Sequence, residues 1–276
     1  MEVVLDELRS LPWASPLIAR IDQRGGISVD TQPELFEARV AHELHRVGSI
    51  PEYEFMAGVG DTSVDFRIPG QPEFLVEVVS LRTSEGVQAA VRRRGHFVEH
   101  RLSTESLRTE GHQRQSIESE LILVQQKLGE KVLERDHVVK FPSVESVRKH
   151  VLVMDVRSVM GGGEEMKYLR HDLLQVTYGH WGMDHVGGRR IRLGMQAPAA
   201  DGSIQSLRGI FEDIEVHPLR AAPLLRERIH AVHFVCERMY TASEIPGPDA
   251  SYLVPNRRLI QTEEEFARFK EQYPLA

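Results

Sequence analysis

The period of the hydrophobic pattern changes several times along the chain. Leu5, Leu8 and Leu11 begin an amphipathic segment, which Pro12 and Pro16 interrupt. After Thr31, Pro33 falls in a first turn, and Phe36, Val40, Leu44 and Val47 form one stripe. This predicts a helix that Gly48 ends. Three runs of strand character follow, Tyr53–Met56, Thr62–Ile68 and Phe74–Leu81. Pro69-Gly70-Gln71-Pro72-Glu73 joins the last two and reads as a five-residue hairpin turn.

From Gln115 to about Glu134 the apolar residues Ile117, Leu121, Val124, Leu128 and Val132 recur at steps of four and three, predicting a long amphipathic helix. Val151–Val156 is an apolar run of strand length. Gly161-Gly162-Gly163 then breaks the chain before a helix around Glu164–Leu174, and Gly179 to Gly188 forms a loop rich in glycine and histidine. Ile229–Met239 reads as a strand and Glu263–Lys270 as a closing helix. No internal repeat or low-complexity tract divides the chain. The economical reading is one domain over 1–276, with a core at about 33–156 and a C-terminal extension of the same sheet at about 200–260. The element order predicts an α/β fold with a central mixed β-sheet flanked by helices.

Composition narrows the classes. Hydrophobic residues at 41% and charged residues at 27% exclude wholesale disorder. A chain of 276 residues can bury its core without a disulfide or metal staple. Cys236, the single cysteine, excludes an internal disulfide; it suits a reducing compartment and reads as a core thiol rather than a nucleophile. No apolar run approaches the ~18 residues of a membrane span. The acidic start from Met1 to Glu7 lacks the basic flank of a signal peptide, so a cytoplasmic protein without a membrane partner is expected. A net charge of −7 argues against indiscriminate nucleic-acid binding, but leaves room for a local basic groove. Arg92, Arg93, Arg94, Arg101, Arg108 and Arg114, with His96, His100 and His112, concentrate positive charge in one stretch. That stretch reads either as a solvated face or as a grip on phosphates.

The chemistry concentrates in two strands. Alternation puts Asp65 on the face opposite Val64 and Phe66, while Glu77 interrupts the apolar run Phe74–Leu81. A hairpin symmetric about Gln71 places Asp65 across from Glu77, with Cβ atoms roughly 5 Å apart. Like charges so placed are destabilising unless a proton, a cation or a metal compensates them, so removal of Glu77 is expected to leave folding unharmed or improved. Hard oxygen ligands without cysteine suit Mg²⁺ or Mn²⁺.

These residues resemble the PD-(D/E)XK superfamily of restriction-endonuclease-like nucleases. That family has a helix bearing a glutamate, a strand beginning near an aspartate, and a strand carrying (D/E)-x-K. The suspected matches are Glu37 in Phe36-Glu37-Ala38-Arg39, Asp65 in Val64-Asp65-Phe66, and Glu77 in Val76-Glu77-Val78-Val79. The family lysine position holds Val79, which can neither donate a proton nor hold a water. Some members supply the lysine from the following helix, where Lys127 is the first choice and Lys131 the next. Glu43 competes with Glu37, since both border the apolar stripe of their helix.

The resemblance implies a restriction-endonuclease-like core with C-terminal additions and a metal-dependent phosphodiesterase. Asp65, Glu77 and the carbonyl of Val78 would hold Mg²⁺ or Mn²⁺, Glu37 would assist through water, and Lys127 would stabilise charge. Arg92, Arg93, Arg94 and Arg101 would hold the backbone of DNA, with RNA as second choice; a homodimer stays open. Two alternatives stand beside it: a nuclease-like fold that has lost catalysis and binds or regulates, and an unrelated α/β protein in which Glu77 is a salt-bridge partner.

Other motifs weigh less. His42-Glu43-Leu44-His45 is one residue short of HExxH, and its histidines are expected on the surface. His180, Asp184 and His185 could bind a metal in their loop. G-x-S-x-G, Walker A and G-x-G-x-x-G are absent from the sequence.

Overall fold

The computed structural model describes the chain except residues 29, 58–60, 82–90, 95–96, 101–116, 135–137, 157–165, 180–183, 187–188, 192–195, 199–203, 207 and 236–250. Within elements, the side chains of 91–94, 97–100, 117–120, 134, 138, 166–171, 184–186, 189–191, 196–198 and 204–206 also lie outside that description.

Helices α1 (Glu2–Arg9), α2 (Ser15–Gln23) and α3 (Gln32–Arg46) open the chain. The interruption expected at Pro12 and Pro16 is a short 3₁₀ turn, Pro12–Ala14, followed by a helix start. Proline is tolerated in a first turn because its missing N–H would have no intrahelical partner there. Strands β1 (Glu52–Phe55), β2 (Val64–Ile68) and β3 (Glu73–Ser80) follow. Then come α4 (Ile117–Val132), β4 (Arg148–Asp155), α5 (Met166–Tyr178), α6 (Ala222–Arg228), β5 (Ala231–Val235), β6 (Ser251–Pro255) and α7 (Glu263–Gln272). Among the described residues, four short two-stranded ladders lie outside the main sheet, one of them Val91–Arg94 with Phe97–His100.

The six strands form one sheet in chain order. The pairs β1–β2 and β2–β3 are antiparallel, β3–β4 and β4–β5 parallel, and β5–β6 antiparallel again. The result is a mixed α/β fold with a central sheet between helical layers. No described helix is long and apolar enough to cross a membrane.

Alternation along β3 assigns its two faces. Phe74, Val76 and Val78 pack with residues of α1, α2, α3 and α7, including Leu8, Ile21, Phe36, Leu44 and Phe269. Leu75 and Val79 pack on the other side with Leu121, Val124, Leu128 and Val132 of α4, and with α5 and α6. Parallel strands covered on both faces read as near-continuous apolar runs, and β3 is buried from Glu73 to Val79. At roughly 25 cal/mol per Å² of apolar surface, each wholly buried Leu or Phe of these layers contributes on the order of 2 kcal/mol. Glu77, with 0% exposure, is the charged residue that this run carries deepest into the interior, while Glu73 at its start pairs with Arg67 and Arg148.

The α7 start is set by a capping box. Thr262 accepts from the Glu265 N–H at 3.1 Å, and Glu265 accepts from the Thr262 N–H at 3.0 Å.

Candidate functional site

The site arises where β2 and β3 stop pairing through their backbones. The ladder runs Ile68↔Phe74, Arg67↔Leu75 and Phe66↔Val76, which is the register symmetric about Gln71. One step further, side chains take over. The Asp65 N–H donates to Glu77 Oε2 at 3.3 Å, and the Val78 N–H donates to Asp65 Oδ2 at 2.6 Å. Asp65 therefore fills the gap between two diverging strands and satisfies the amide that the ladder leaves free.

Both helical layers send charge to this gap. From α4, Lys131 Nζ donates to Glu77 Oε1 at 2.8 Å. Lys140, in the connection between α4 and β4, donates to the same oxygen at 2.7 Å. From the opposite layer, Glu37 of α3 is held through Oε2, which accepts from the Tyr53 hydroxyl at 2.9 Å and from the Arg20 guanidinium. Arg20 also donates to the Tyr53 hydroxyl, and reaches Glu54 Oε1 at 3.0 Å.

The electrostatics follow from burial and crowding. Burial, then the charges of Glu77 and Glu37, push the Asp65 carboxyl well above the usual carboxylate range, against Lys131 and the Val78 N–H. Burial also raises Glu37, opposed by Arg20, Tyr53 and Lys131. For Lys131, burial alone would favour the neutral amine. Glu77, Asp65 and Glu37 outweigh it and raise the ammonium above its ordinary value. Lys131 is thus a committed cation.

Of the residues selected from the sequence, Glu37, Asp65 and Glu77 form one electrostatic cluster. Glu43 does not join it: it lies 3.4 Å from Arg46 and 4.0 Å from His42 Nδ1. Lys127, the first-choice lysine, pairs with Glu130 at 2.6 Å and is 40% exposed. The residue of α4 that meets Glu77 is Lys131, one turn further on. Val79 is buried in the α4 layer.

Arg20, Tyr53 and Lys140 were missed by sequence reasoning. Tyr53 carried a signal, as an aromatic residue in a half-buried strand, but Arg20 and Lys140 are single charges among apolar neighbours, in Ile18-Ala19-Arg20-Ile21 and Val139-Lys140-Phe141, with no motif around them. The side chains of Arg92, Arg93 and Arg94, and all of Arg101, lie outside the described residues, as do His180, Cys236 and the side chains of Asp184 and His185. The expectation of surface histidines fails for His42, which is buried with its Nε2 2.6 Å from Glu7 Oε2 of α1.

A cavity of about 470 Å³ adjoins the cluster. Its lining runs from Glu37 and Val78 past Val79 and Leu81 to Leu123, Lys127 and Lys131. Among the described residues, no three His, Cys, Asp or Glu side chains come close enough together to hold a metal ion. Comparison of the chain with family models, with curated proteins and with solved structures gives no match.

Proposed function

We propose that this chain is a metal-dependent phosphodiesterase acting on DNA, with RNA as the second substrate class. The observation that carries the reading is the side-chain junction of Asp65 and Glu77, met by Glu37 from one helical layer and Lys131 from the other. Helix glutamate, strand aspartate, strand glutamate and helix lysine follow in the order implied by resemblance to restriction-endonuclease-like nucleases.

The donor set fits a hard cation in type. Asp65 and Glu77 supply two carboxylates and Val78 a main-chain carbonyl. Mg²⁺ commonly takes one or two carboxylates and keeps several waters, so a third acidic side chain is not required. The charge state fits as well, because a cation beside Asp65 would relieve the repulsion that pushes its carboxyl upward. When bound, Mg²⁺ or Mn²⁺ would polarise the scissile phosphate and lower the pKa of an attacking water.

The chain's own residues then have separable roles. Lys131 presents an ammonium that three carboxyl groups keep charged, suited to stabilising developing negative charge rather than to accepting a proton. Arg20 and Tyr53 hold Glu37 at the rim, where it can orient a water. Arg92, Arg93, Arg94 and Arg101 would grip the substrate backbone.

The second reading is a fold that binds nucleic acid without cutting it. Its support is that Glu77 Oε1 already receives two ammonium groups, while Val79 is buried and apolar. Calorimetry with Mn²⁺ and a cleavage assay on single- and double-stranded DNA separate the two. The phosphodiesterase reading expects Mn²⁺ binding that Glu77→Gln abolishes, together with Mn²⁺-dependent cleavage. Absence of both in the wild type selects the second reading.

A further inference from the structure

We infer that the cavity beside the carboxylate cluster receives one unpaired nucleotide, so that the substrate is a single strand or a frayed strand end rather than an intact duplex. The inference rests on the phosphodiesterase reading for its place in a reaction, but its binding test does not.

Four observations carry it. First, the cavity is continuous with the cluster, since Glu37, Val78 and Lys131 form part of its lining. Second, its volume of about 470 Å³ lies in the range of small-molecule sites and is larger than one nucleoside needs. Third, Pro33, Val79, Leu81 and Leu123 give it apolar walls. Fourth, it holds polar groups placed for a nucleotide. Lys127 lines it one turn of α4 before Lys131, with its partner Glu130 also in the lining.

The chemistry of these walls selects the ligand. Lys127 and Lys131 suit a phosphate ester, which would take the place of Glu130 as the partner of Lys127, and apolar walls suit the face of a heterocycle. In a duplex both faces of every base are covered by stacked neighbours, and the paired edge is occupied. A slot for a base face therefore admits a nucleotide only once it has left the stack, which costs least for single strands and ends. This also gives Val79 and Lys127 a use. At the position where the resemblance expects a lysine, Val79 supplies apolar wall, and Lys127 faces the nucleotide instead of Glu77.

The test compares a fluorescein-labelled oligothymidylate with the same strand annealed to oligodeoxyadenylate, titrated by anisotropy in EDTA so that nothing is cleaved. The wild type should bind the single strand about tenfold more tightly, the scale of one stacked base. Leu123→Glu, which puts a carboxylate in the slot, should remove that preference and leave duplex affinity unchanged. Equal affinities in the wild type, or an unaltered preference in a folded Leu123→Glu protein, would overturn the inference. Should Leu123→Glu fail to fold by circular dichroism, Lys127→Met decides: it should weaken single-strand binding about threefold by loss of one phosphate contact, and an unchanged affinity counts against the slot. Cleavage in Mn²⁺ distinguishes the two claims. Equal rates on single strand and duplex would defeat the slot and spare the phosphodiesterase. A single-strand preference in EDTA with no cleavage would support the slot and remove the phosphodiesterase.

Discussion

Lys131 Nζ lies 2.8 Å from Oε1 of Glu77, a carboxylate with no exposed surface. Lys127, one turn earlier, is 40% exposed and pairs with Glu130, itself 60% exposed. The two lysines should therefore respond differently to the same substitution. Lys131→Met should lower turnover on a cleavable DNA by about 10²–10³ if the ammonium stabilises developing charge. It should also cost on the order of 1–3 kcal/mol, below the ~3–5 kcal/mol of a wholly unpaired buried charge, because Lys140 stays on Glu77. Lys127→Met should change stability by less than about 0.5 kcal/mol. Urea melts and single-turnover rates on both variants check the ranking; equal effects would remove Lys131 from its role.

Glu77→Gln and Asp65→Asn should shift stability in opposite directions. The sequence suggests that deleting Glu77 relieves a like-charge pair, and the structure reverses that expectation. Glu77 is what neutralises Lys131 and Lys140, so its loss leaves two ammonium groups facing a neutral amide, at a cost of about 3–5 kcal/mol. Asp65 is the carboxyl whose charge is disfavoured. An asparagine there can still accept from the Val78 N–H, so Asp65→Asn should stabilise the metal-free protein by on the order of 1 kcal/mol near neutral pH. Both variants should lose Mn²⁺ binding. Denaturant melts without metal and calorimetry with it give the two readouts; a stabilised Glu77→Gln protein would contradict this account of the charges.

The hairpin was legible from its short connection rich in proline and glycine, but its register rested on assuming symmetry about Gln71, because Phe74–Leu81 is apolar on both faces and pins the pairing weakly. The helix over 117–132 was legible from its stripe of Leu121, Val124, Leu128 and Val132, all in the core. That stripe could not rank Lys127 against Lys131, since both lie on its border. The choice depends on how α4 rotates over β3, which is a tertiary quantity. Lys140 was invisible for a similar reason: it sits in a connection, and the sequence does not say where a connection's side chains point. Helix α6 and strand β6 were not read at all. Ala222–Arg228 is too short for periodicity to register, and Ser251–Pro255 is a partly exposed edge strand with a weak alternation. The burial of His42 was missed because helix α1, which covers it, was read only as an interrupted segment.

Arg20 and Tyr53 should be coupled to Glu37. Tyr53→Phe removes one donor from a raised carboxyl and should cost about 1–2 kcal/mol. Arg20→Met removes its charge partner and should cost about 2–3 kcal/mol, less than a fully buried ion would, since Arg20 is 35% exposed. In the background Glu37→Gln the arginine substitution should become nearly silent. A double-mutant cycle on urea melts measures this, with a coupling of at least about 1 kcal/mol expected. Simple additivity would mean that Arg20 acts elsewhere, through Glu54.

Three buried histidines should lower stability in mild acid, against the opposite contribution of Asp65 and Glu37, whose raised carboxyls take up protons more readily in the folded protein. His150, His230 and His233 are buried, and burial lowers their imidazoles from 6.5 to about 4, about 3 and about 4. His233 makes no hydrogen bond through either ring nitrogen, and His150 none through Nε2. The unfolded chain takes up protons at its ordinary histidine value, while the folded protein refuses them. The sign of their contribution is therefore fixed: nothing is lost well above pH 6.5, and the histidine contribution falls progressively as pH drops from 6.5 towards about 4, where His150 and His233 protonate in place. The limiting slope is about 1.4 kcal/mol per pH unit for each histidine. Between pH 7.5 and pH 5.5 the three together contribute a loss of up to about 4 kcal/mol, read by urea melts in the Asp65→Asn, Glu37→Gln background so that the carboxyls do not offset it. His233→Leu removes one of the three and should recover about 1.4 kcal/mol of that difference. If the leucine variant shows the same pH dependence as the wild type, His233 is not held neutral in the fold.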